Sequence, residues 1–170
     1  MIIKSTNSLI SNISLLNIMI VLSLSIATKD VLAESSLCRV GEKESFSCTI
    51  GSKAVSVCSP DSVGLVYRYG KPNSVEIELE SKVHFSATSY SGGGEGRLTF
   101  KNGSYSYVVY SGIMSGEWQG DATRDKIEYA GIFVVKNNEE IANLKCTGYQ
   151  DKNFIHYLPP YTMEEYEYFE

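Results

Sequence analysis

The chain has few of the residues that enzymes use for acid–base and nucleophilic chemistry. Of its 170 residues, one is tryptophan and two are histidine, His84 and His156. It has no G-x-S-x-G elbow, no H-E-x-x-H motif and no phosphate-binding glycine loop. His84 lies in an alternating run and His156 among aromatic residues and prolines, which favours packing roles for both. We therefore predict a protein that is not an enzyme and binds no cofactor or metal.

A long apolar run occurs only near the N-terminus. Lys4 supplies a positive start, Ile13–Ile26 is almost uncharged, and Val31–Ala33 offers small residues at a cleavage position. The apolar run is too short for a membrane span. Residues 1–33 are therefore predicted to be a secretory signal. The mature chain, residues 34–170, is expected in the periplasm or outside the cell, with no membrane insertion.

Positive charge is also scarce, since the mature chain has 13 basic residues against 19 acidic ones, a net charge of −6. Nucleic acids are bound mainly through Lys and Arg contacts to phosphates, so a nucleic-acid partner is not expected. No basic amphipathic segment for anionic membranes is present either. An acidic exported protein suits a cationic protein partner, although negative charge also serves solubility alone.

The four cysteines all follow the predicted signal, in an oxidising compartment that favours disulfides, and no C-x-x-C zinc knuckle is present. Four cysteines allow three pairings, and the sequence does not choose among them. A β-hairpin centred on Lys53 would place Cys48 opposite Cys58, within bridging range, and leave Cys38 for Cys146. We prefer this pairing. A loop one residue shorter would put Cys48 and Cys58 on opposite faces of the sheet.

Strand-like runs recur at short intervals through the mature chain. Val75–Leu79 alternates apolar and polar residues, as strands with one buried face do, whereas Gly131–Val135 is apolar throughout and suits a central strand. Asn102-Gly103 predicts a type I′ hairpin. The nine predicted strands are Glu44–Ile50, Ala54–Cys58, Leu65–Tyr69, Ser74–Leu79, Val83–Ser89, Glu95–Phe100, Ser104–Ser111, Ala130–Lys136 and Glu140–Cys146.

No extended helical periodicity accompanies these strands. We therefore predict an all-β fold, a single disulfide-stabilised domain built as an antiparallel sandwich or a small barrel. The last ten residues, Tyr161–Glu170, contain four glutamates and three tyrosines. This acidic, Tyr-rich tail is either frayed or packed on the body as a strand or turn, and the pattern does not distinguish the two.

Two glycine-rich segments are the candidates for binding. In Tyr90–Gly96 three successive glycines free the backbone from side-chain bulk, so a loop there could enter a narrow space. In Ser111–Gly120 glycines alternate with Met114 and the single tryptophan. Long hairpin tips also collect glycine and serine simply because turns need them. The candidate binding residues are Tyr90, Ser91, Gly92, Gly93, Gly94, Glu95, Arg97, Ser111 and Trp118.

The order of several landmarks resembles the periplasmic and membrane-bound lysozyme inhibitors. These landmarks are Phe46-Ser47-Cys48, the strands Val66–Tyr69 and Val75–Leu79, Ser91-Gly92 and the closing Cys146. The resemblance implies a small disulfide-bonded β protein that inserts a Ser-containing loop into the lysozyme cleft. In the inhibitors of C-type lysozyme that loop reads Ser-Gly-x-x-Tyr, whereas no tyrosine follows at that spacing here. The chain is also similar to a set of uncharacterised exported bacterial proteins.

Electrostatics agrees with the function that this resemblance implies. Lysozymes are usually cationic and have two catalytic carboxylates in a cleft, so an acidic partner is steered toward them. The Ser91 hydroxyl and the glycine N–H groups could donate hydrogen bonds to those carboxylates. We predict a non-enzymatic exported binding protein that inhibits a cell-wall hydrolase. The alternatives are an immunity protein that neutralises a toxin in the periplasm, and a structural or envelope-stress protein with no inhibitory loop.

Overall fold

Ten β-strands make up the regular structure of the computed structural model, which describes residues 36–61, 64–120, 122–147 and 154–169. The predicted signal lies outside these residues. No helix in the described part of the chain could cross a bilayer. The strands are β1 (Lys43–Ile50), β2 (Lys53–Ser59), β3 (Gly64–Lys71), β4 (Ser74–Lys82), β5 (Phe85–Tyr90), β6 (Gly93–Asn102), β7 (Tyr105–Trp118), β8 (Arg124–Lys136), β9 (Glu139–Lys145) and β10 (Met163–Glu164).

The strands form two sheets that share one apolar core. Sheet A is the antiparallel meander β1-β2-β3-β4, and sheet B has the order β10-β5-β6-β7-β8-β9, antiparallel except that β10 runs parallel to β5. The predicted all-β class is confirmed, and of the two architectures offered the sandwich is the one found. Side chains from both sheets fill the core, among them Phe46, Val55, Val57, Leu65, Tyr67, Leu98, Phe100, Val109 and Ile132.

Tight turns connect the strands where the sequence places glycine and asparagine. Asn137 and Asn138 have φ values of 49° and 73°, the two positive angles of a type I′ turn. The predicted type I′ turn at Asn102-Gly103 is wrong in type, because Asn102 pairs with Tyr105 and only Gly103 has positive φ. The register shifts by one residue and puts glycine at the first central position, where a type II′ turn requires it.

The preferred disulfide pairing is wrong, and the register of the first hairpin is the reason. Ile50 pairs with Lys53 across a two-residue turn, so Cys48 lies opposite Val55. Because side chains alternate along a strand, Cys48 faces the core and Cys58 faces the outside of sheet A. The two bridges join Cys38 to Cys58 and Cys48 to Cys146, with Cα atoms 5.5 and 5.7 Å apart.

The described chain thus has two disulfides and no free cysteine. Such bridges persist in oxidising compartments and are rare in the cytosol. They place the protein in an oxidising location outside the cytoplasm.

The N-terminal segment 36–42 covers the outer face of sheet A. The Leu37 N–H donates a hydrogen bond of 2.8 Å to the Ser56 hydroxyl, and the disulfide at Cys38 fixes the next residue. Beneath the segment lies Arg68, whose guanidinium is 1% exposed and binds the Glu42 carboxylate through both of its terminal nitrogens, at 2.5 and 2.8 Å. A disulfide and a buried ion pair therefore secure the segment from both ends.

Removing the two bridges one at a time should destabilise the protein unequally. Loop-closure entropy grows with the length of chain that a bridge encloses, and the two sequence separations are 98 and 20 residues. Replacing Cys48 and Cys146 by serine should cost about 4.7 kcal/mol of unfolding free energy, against about 3.3 kcal/mol for Cys38 and Cys58. Denaturant titration of the oxidised proteins measures both losses of unfolding free energy. A larger loss for the Cys38–Cys58 variant would contradict the pairing.

The Glu42–Arg68 pair should make stability depend on acid. Hydrogen bonds from Arg68 hold the pKa of Glu42 below its usual 4.5, so the carboxylate contributes stability above that pH and loses it as the pH falls through the folded-state value. At pH 7, Glu42→Gln should cost about 2–3 kcal/mol because the buried Arg68 guanidinium loses the nearer of its two carboxylate partners, while Glu78 stays 3.2 Å from its Nε atom. In urea titrations the difference in unfolding free energy between wild type and variant should become smaller below about pH 4.

The control for this experiment is Glu76→Gln. Glu76 pairs with Lys53 at 2.6 Å, but both side chains are more than 30% exposed. Its removal should change stability by less than about 1 kcal/mol. If the difference in unfolding free energy between wild type and Glu42→Gln stays constant with pH, the ion pair between Glu42 and Arg68 is not the cause of the acid dependence.

Candidate functional site

The first glycine-rich segment is not the flexible loop that the sequence suggested. Only Ser91 and Gly92 form a turn, and the following glycines belong to β6, which pairs with both β5 and β7. A side chain at Gly93 would collide with the backbone oxygen of Ile113 on β7. These glycines therefore allow the strands to approach closely. Only the two-residue tip of a tight hairpin remains of the predicted flexible loop.

The second glycine-rich segment is also not a loop, because β7 continues as far as Trp118, with a register shift against β8 between Ser115 and Trp118. A side chain at Gly112 would collide with the ring of Tyr129, and one at Gly116 would crowd Ile127. Both partners lie on β8, which begins at Arg124 rather than at the predicted Ala130. The alternation of Ile127 and Tyr129 was the signal that could have extended this strand.

The distal ends of β7 and β8, residues 112–118 and 124–128, contribute nothing to the core between the sheets. Four large side chains at this end of sheet B are exposed: Tyr90 by 41%, Met114 by 39%, Trp118 by 66% and Ile127 by 47%. We call these four residues the tip patch. Met114 and Ile127 are direct cross-strand partners. Exposed apolar patches of this kind mark interaction sites.

The turn at Ser91–Gly92 is held against β7 and β8. The Lys126 ammonium donates a hydrogen bond of 2.7 Å to the Gly92 carbonyl, and the Ser115 hydroxyl reaches the same oxygen at 3.4 Å. Tyr90, just before the turn, bonds through its hydroxyl to the Tyr129 hydroxyl at 2.7 Å. These bonds fix the position of the turn. Ser91, which is exposed, therefore lies at a fixed position beside the tip patch.

An open groove of about 570 Å³ lies beside the same hairpin. Backbone of the predicted residues Gly92–Gly96 and Ser111 lines it, with Phe85, Ile113 and Ile155 among the apolar walls. The Ser111 hydroxyl is buried and accepts a hydrogen bond of 3.1 Å from the Ile155 N–H. Ser111 therefore secures the segment that follows β9 instead of facing solvent.

Glu95 and Arg97 do not lie at the tip. Both are buried on the outer face of sheet B beneath the C-terminal tail, with the Arg97 Nε atom 2.6 Å from the Glu95 carboxylate. The same carboxylate oxygen accepts a hydrogen bond of 2.7 Å from the Tyr166 hydroxyl. Burial, followed by hydrogen bonding, raises the pKa of Tyr129 and of Tyr166, so both phenols stay protonated and act as donors.

The structure does not join the two histidines into one site. The His84 ring lies 2.7 Å from a Glu164 oxygen, and the His156 ring contacts the Phe154 carbonyl at 2.9 Å. In the described residues neither ring bonds to a hydroxyl. The described part of the chain has one cluster of three residues with metal-ligating side chains, Cys38, Cys58 and Glu42, and its two sulfurs are bonded to each other.

Comparison with known proteins found no match: no family model, no curated protein and no solved structure is similar to this chain. The resemblance to lysozyme inhibitors therefore stays a prediction from sequence landmarks.

The tip patch should be dispensable for folding. Replacing Met114 and Ile127 together by threonine keeps strand propensity and removes the exposed apolar surface. Because surface substitutions change little, the unfolding free energy should fall by less than about 1 kcal/mol in urea titration. Val109→Thr is the matched control, since Val109 lies on the same strand and is fully buried. It should cost about 1–3 kcal/mol for burying a hydroxyl, and equal losses would show that the patch is structural.

Proposed function

We propose that this chain is an exported, non-enzymatic binding protein that inhibits a cationic cell-wall hydrolase of the lysozyme type. The observation that carries the proposal is the tip patch. Four large apolar side chains stand exposed beside a rigid turn, at the end of sheet B that the core does not use. Aromatic residues and Met are enriched at protein interfaces, and a central Trp or Tyr often supplies most of the binding energy.

The shape of this end of the molecule suits insertion into a cleft. The β5–β6 hairpin narrows to Ser91 and Gly92 and lies beside the β7–β8 hairpin, which continues to Trp118 and Arg124, so this end is a single sheet without a second layer. Lys126 and Ser115 bind the Gly92 carbonyl and limit the entropy lost when the tip docks. In the bound state the Ser91 hydroxyl would donate to a catalytic carboxylate, while Tyr90 and Trp118 pack against the rim of the cleft.

The charge of the molecule supports a cationic target. The mature chain has a net charge of −6. Opposite net charges raise the association rate and are screened by salt. An inhibitor of this kind should therefore act faster at low ionic strength, whereas the apolar tip patch should determine how slowly the complex dissociates.

The test is an inhibition assay with the purified oxidised mature protein. Lysozymes of the C, I and G types are mixed with the protein, and residual cell-wall lysis is measured. We expect one class to be inhibited. Trp118→Ala should weaken inhibition by about 30-fold, since loss of an interface tryptophan costs about 2 kcal/mol or more. Ser91→Ala should weaken it by about tenfold for the lost charge-assisted hydrogen bond.

Ile141→Ala is the matched control, because Ile141 is 51% exposed on β9 at the opposite edge of sheet B. Its inhibition constant should not change. Inhibition that survives both tip variants would reject the site. No inhibition of any lysozyme class at large excess would reject the hydrolase target and leave a dedicated toxin, and hence an immunity protein, as the next partner to seek.

A further inference from the structure

The outer face of sheet B has a buried ion pair that the tip patch does not use. Arg97 and Glu95 are two residues apart on β6, on the same face, and their side chains are only 10% and 9% exposed. Besides the 2.6 Å contact with Glu95, the Arg97 guanidinium donates a hydrogen bond of 2.7 Å to the backbone carbonyl of Glu167. One arginine therefore binds a carboxylate of the sheet and a carbonyl of the C-terminal tail.

Three aromatic rings surround this guanidinium. Its central carbon lies 5.0 Å from the ring centre of Phe133 on β8, 4.2 Å from that of Tyr166 and 5.1 Å from that of Phe169. Phe169 also packs edge-on against Phe133, with ring centres 6.0 Å apart. Cation–π contacts are stronger when the cation is desolvated, as this arginine is. The sheet supplies one ring and the tail supplies two.

The backbone of the tail is attached to the sheet over only two residues. Met163 and Glu164 pair in parallel with Phe85 and Ser86. Beyond them, Tyr166, Glu167 and Phe169 contact the sheet. Tyr168 between them is 77% exposed. The tail is thus held as a bound peptide is held, by two aromatic anchors three positions apart and one carbonyl between them.

The chemistry of the covered face favours a reversible cover over a permanent one. A buried ion pair stabilises a fold less than well-packed apolar residues of the same volume would. The cover over the Glu42–Arg68 pair is held by a disulfide as well, whereas no covalent bond holds the cover over Glu95 and Arg97. Water solvates the same two charges at little cost when the cover leaves. Arg, Tyr and Phe are also residues enriched in interface cores. The face is therefore stable both covered and open.

We infer that Glu95, Arg97 and Phe133 form a recognition site for an extended peptide segment of the pattern Tyr-x-x-Phe, and that the C-terminal tail fills this site in cis. The tyrosine hydroxyl donates to Glu95, the carbonyl of the next residue accepts from Arg97, and the phenylalanine packs on Phe133. A partner that presents such a segment must displace the tail. Tyr129, whose hydroxyl hydrogen-bonds to both Tyr90 and Glu95, links this site to the tip patch, but the inference does not depend on the proposed inhibition.

The test uses the full mature chain with the tail anchors removed, as the double variant Tyr166→Ala/Phe169→Ala. The probe is a fluorescein-labelled synthetic peptide with the sequence of residues 161–169, and fluorescence anisotropy reports its binding. We expect saturable binding to the double variant, and binding to wild type at least about tenfold weaker because the tail competes. Adding Arg97→Met to the double variant should remove the binding.

Two further arms identify the contacts. A peptide whose first anchor is phenylalanine in place of Tyr166 should bind about tenfold more weakly, since it cannot donate to Glu95. A peptide with alanine at both anchors should not bind. No saturable binding to the folded double variant up to about 1 mM peptide, or equal binding after Arg97→Met, would overturn the inference.

A measurement on wild type keeps the inference testable if the double variant does not fold. Amide hydrogen exchange compares residues 163–169 with the central residues of β6. A tail that leaves its site by itself should exchange at least about 100-fold faster than β6. Equal protection would mean that the tail opens only with the whole fold, and it would overturn the inference.

Discussion

The two-residue turn at Gly51–Ser52 sets the register of β1 against β2, and the rest of sheet A follows from that register. With Ile50 opposite Lys53, the side chains of Phe46 and Cys48 face the core, and those of Ser47 and its partner Ser56 face outward. The same parity continues into β3, where Arg68 pairs with Ser56 and therefore also faces outward. An outward face that contains serines and a buried arginine needs a polar cover, and the segment 36–42 with Glu42 provides it.

The outer faces of the two sheets are covered in the same way. Each face presents one arginine, each arginine binds a glutamate at 2.5–2.6 Å, and a terminal segment of the chain lies over the pair. The difference lies in how the cover is attached. The N-terminal cover is bonded covalently through Cys38, whereas the C-terminal cover is held by two backbone pairs and side-chain contacts. The fold therefore joins one fixed cover with one that can exchange.

Most of the strands could be predicted from the sequence because their signal is local. Alternation in Val75–Leu79, the apolar run Gly131–Val135 and the turn residues between strands place seven of the nine predicted strands within about three residues of where they lie. The other two are longer than predicted: β7 ends seven residues after Ser111, and β8 begins six residues before Ala130. The cysteine pairing could not be predicted, because it depends on whether a loop has an odd or even number of residues. The glycines of β6 and β7 resembled loops because the side chain that requires each glycine, such as Tyr129 opposite Gly112, belongs to another strand. β10 has two residues, too few for any period to show.

The disulfides interleave along the chain, and this order matters when they form. Cys48 lies between Cys38 and Cys58, so oxidation in strict order of emergence would first join Cys38 to Cys48. The native bridges form only if the β1–β2 hairpin, which forms in microseconds, precedes oxidation, or if a wrong bridge is later exchanged through a mixed disulfide. The partner of Cys48 is 98 residues further on, so the native bridge of Cys48 forms only when nearly the whole domain is in the oxidising compartment. Thiol–disulfide exchange is therefore required for the native pairing whenever Cys38 and Cys48 oxidise before the hairpin has formed.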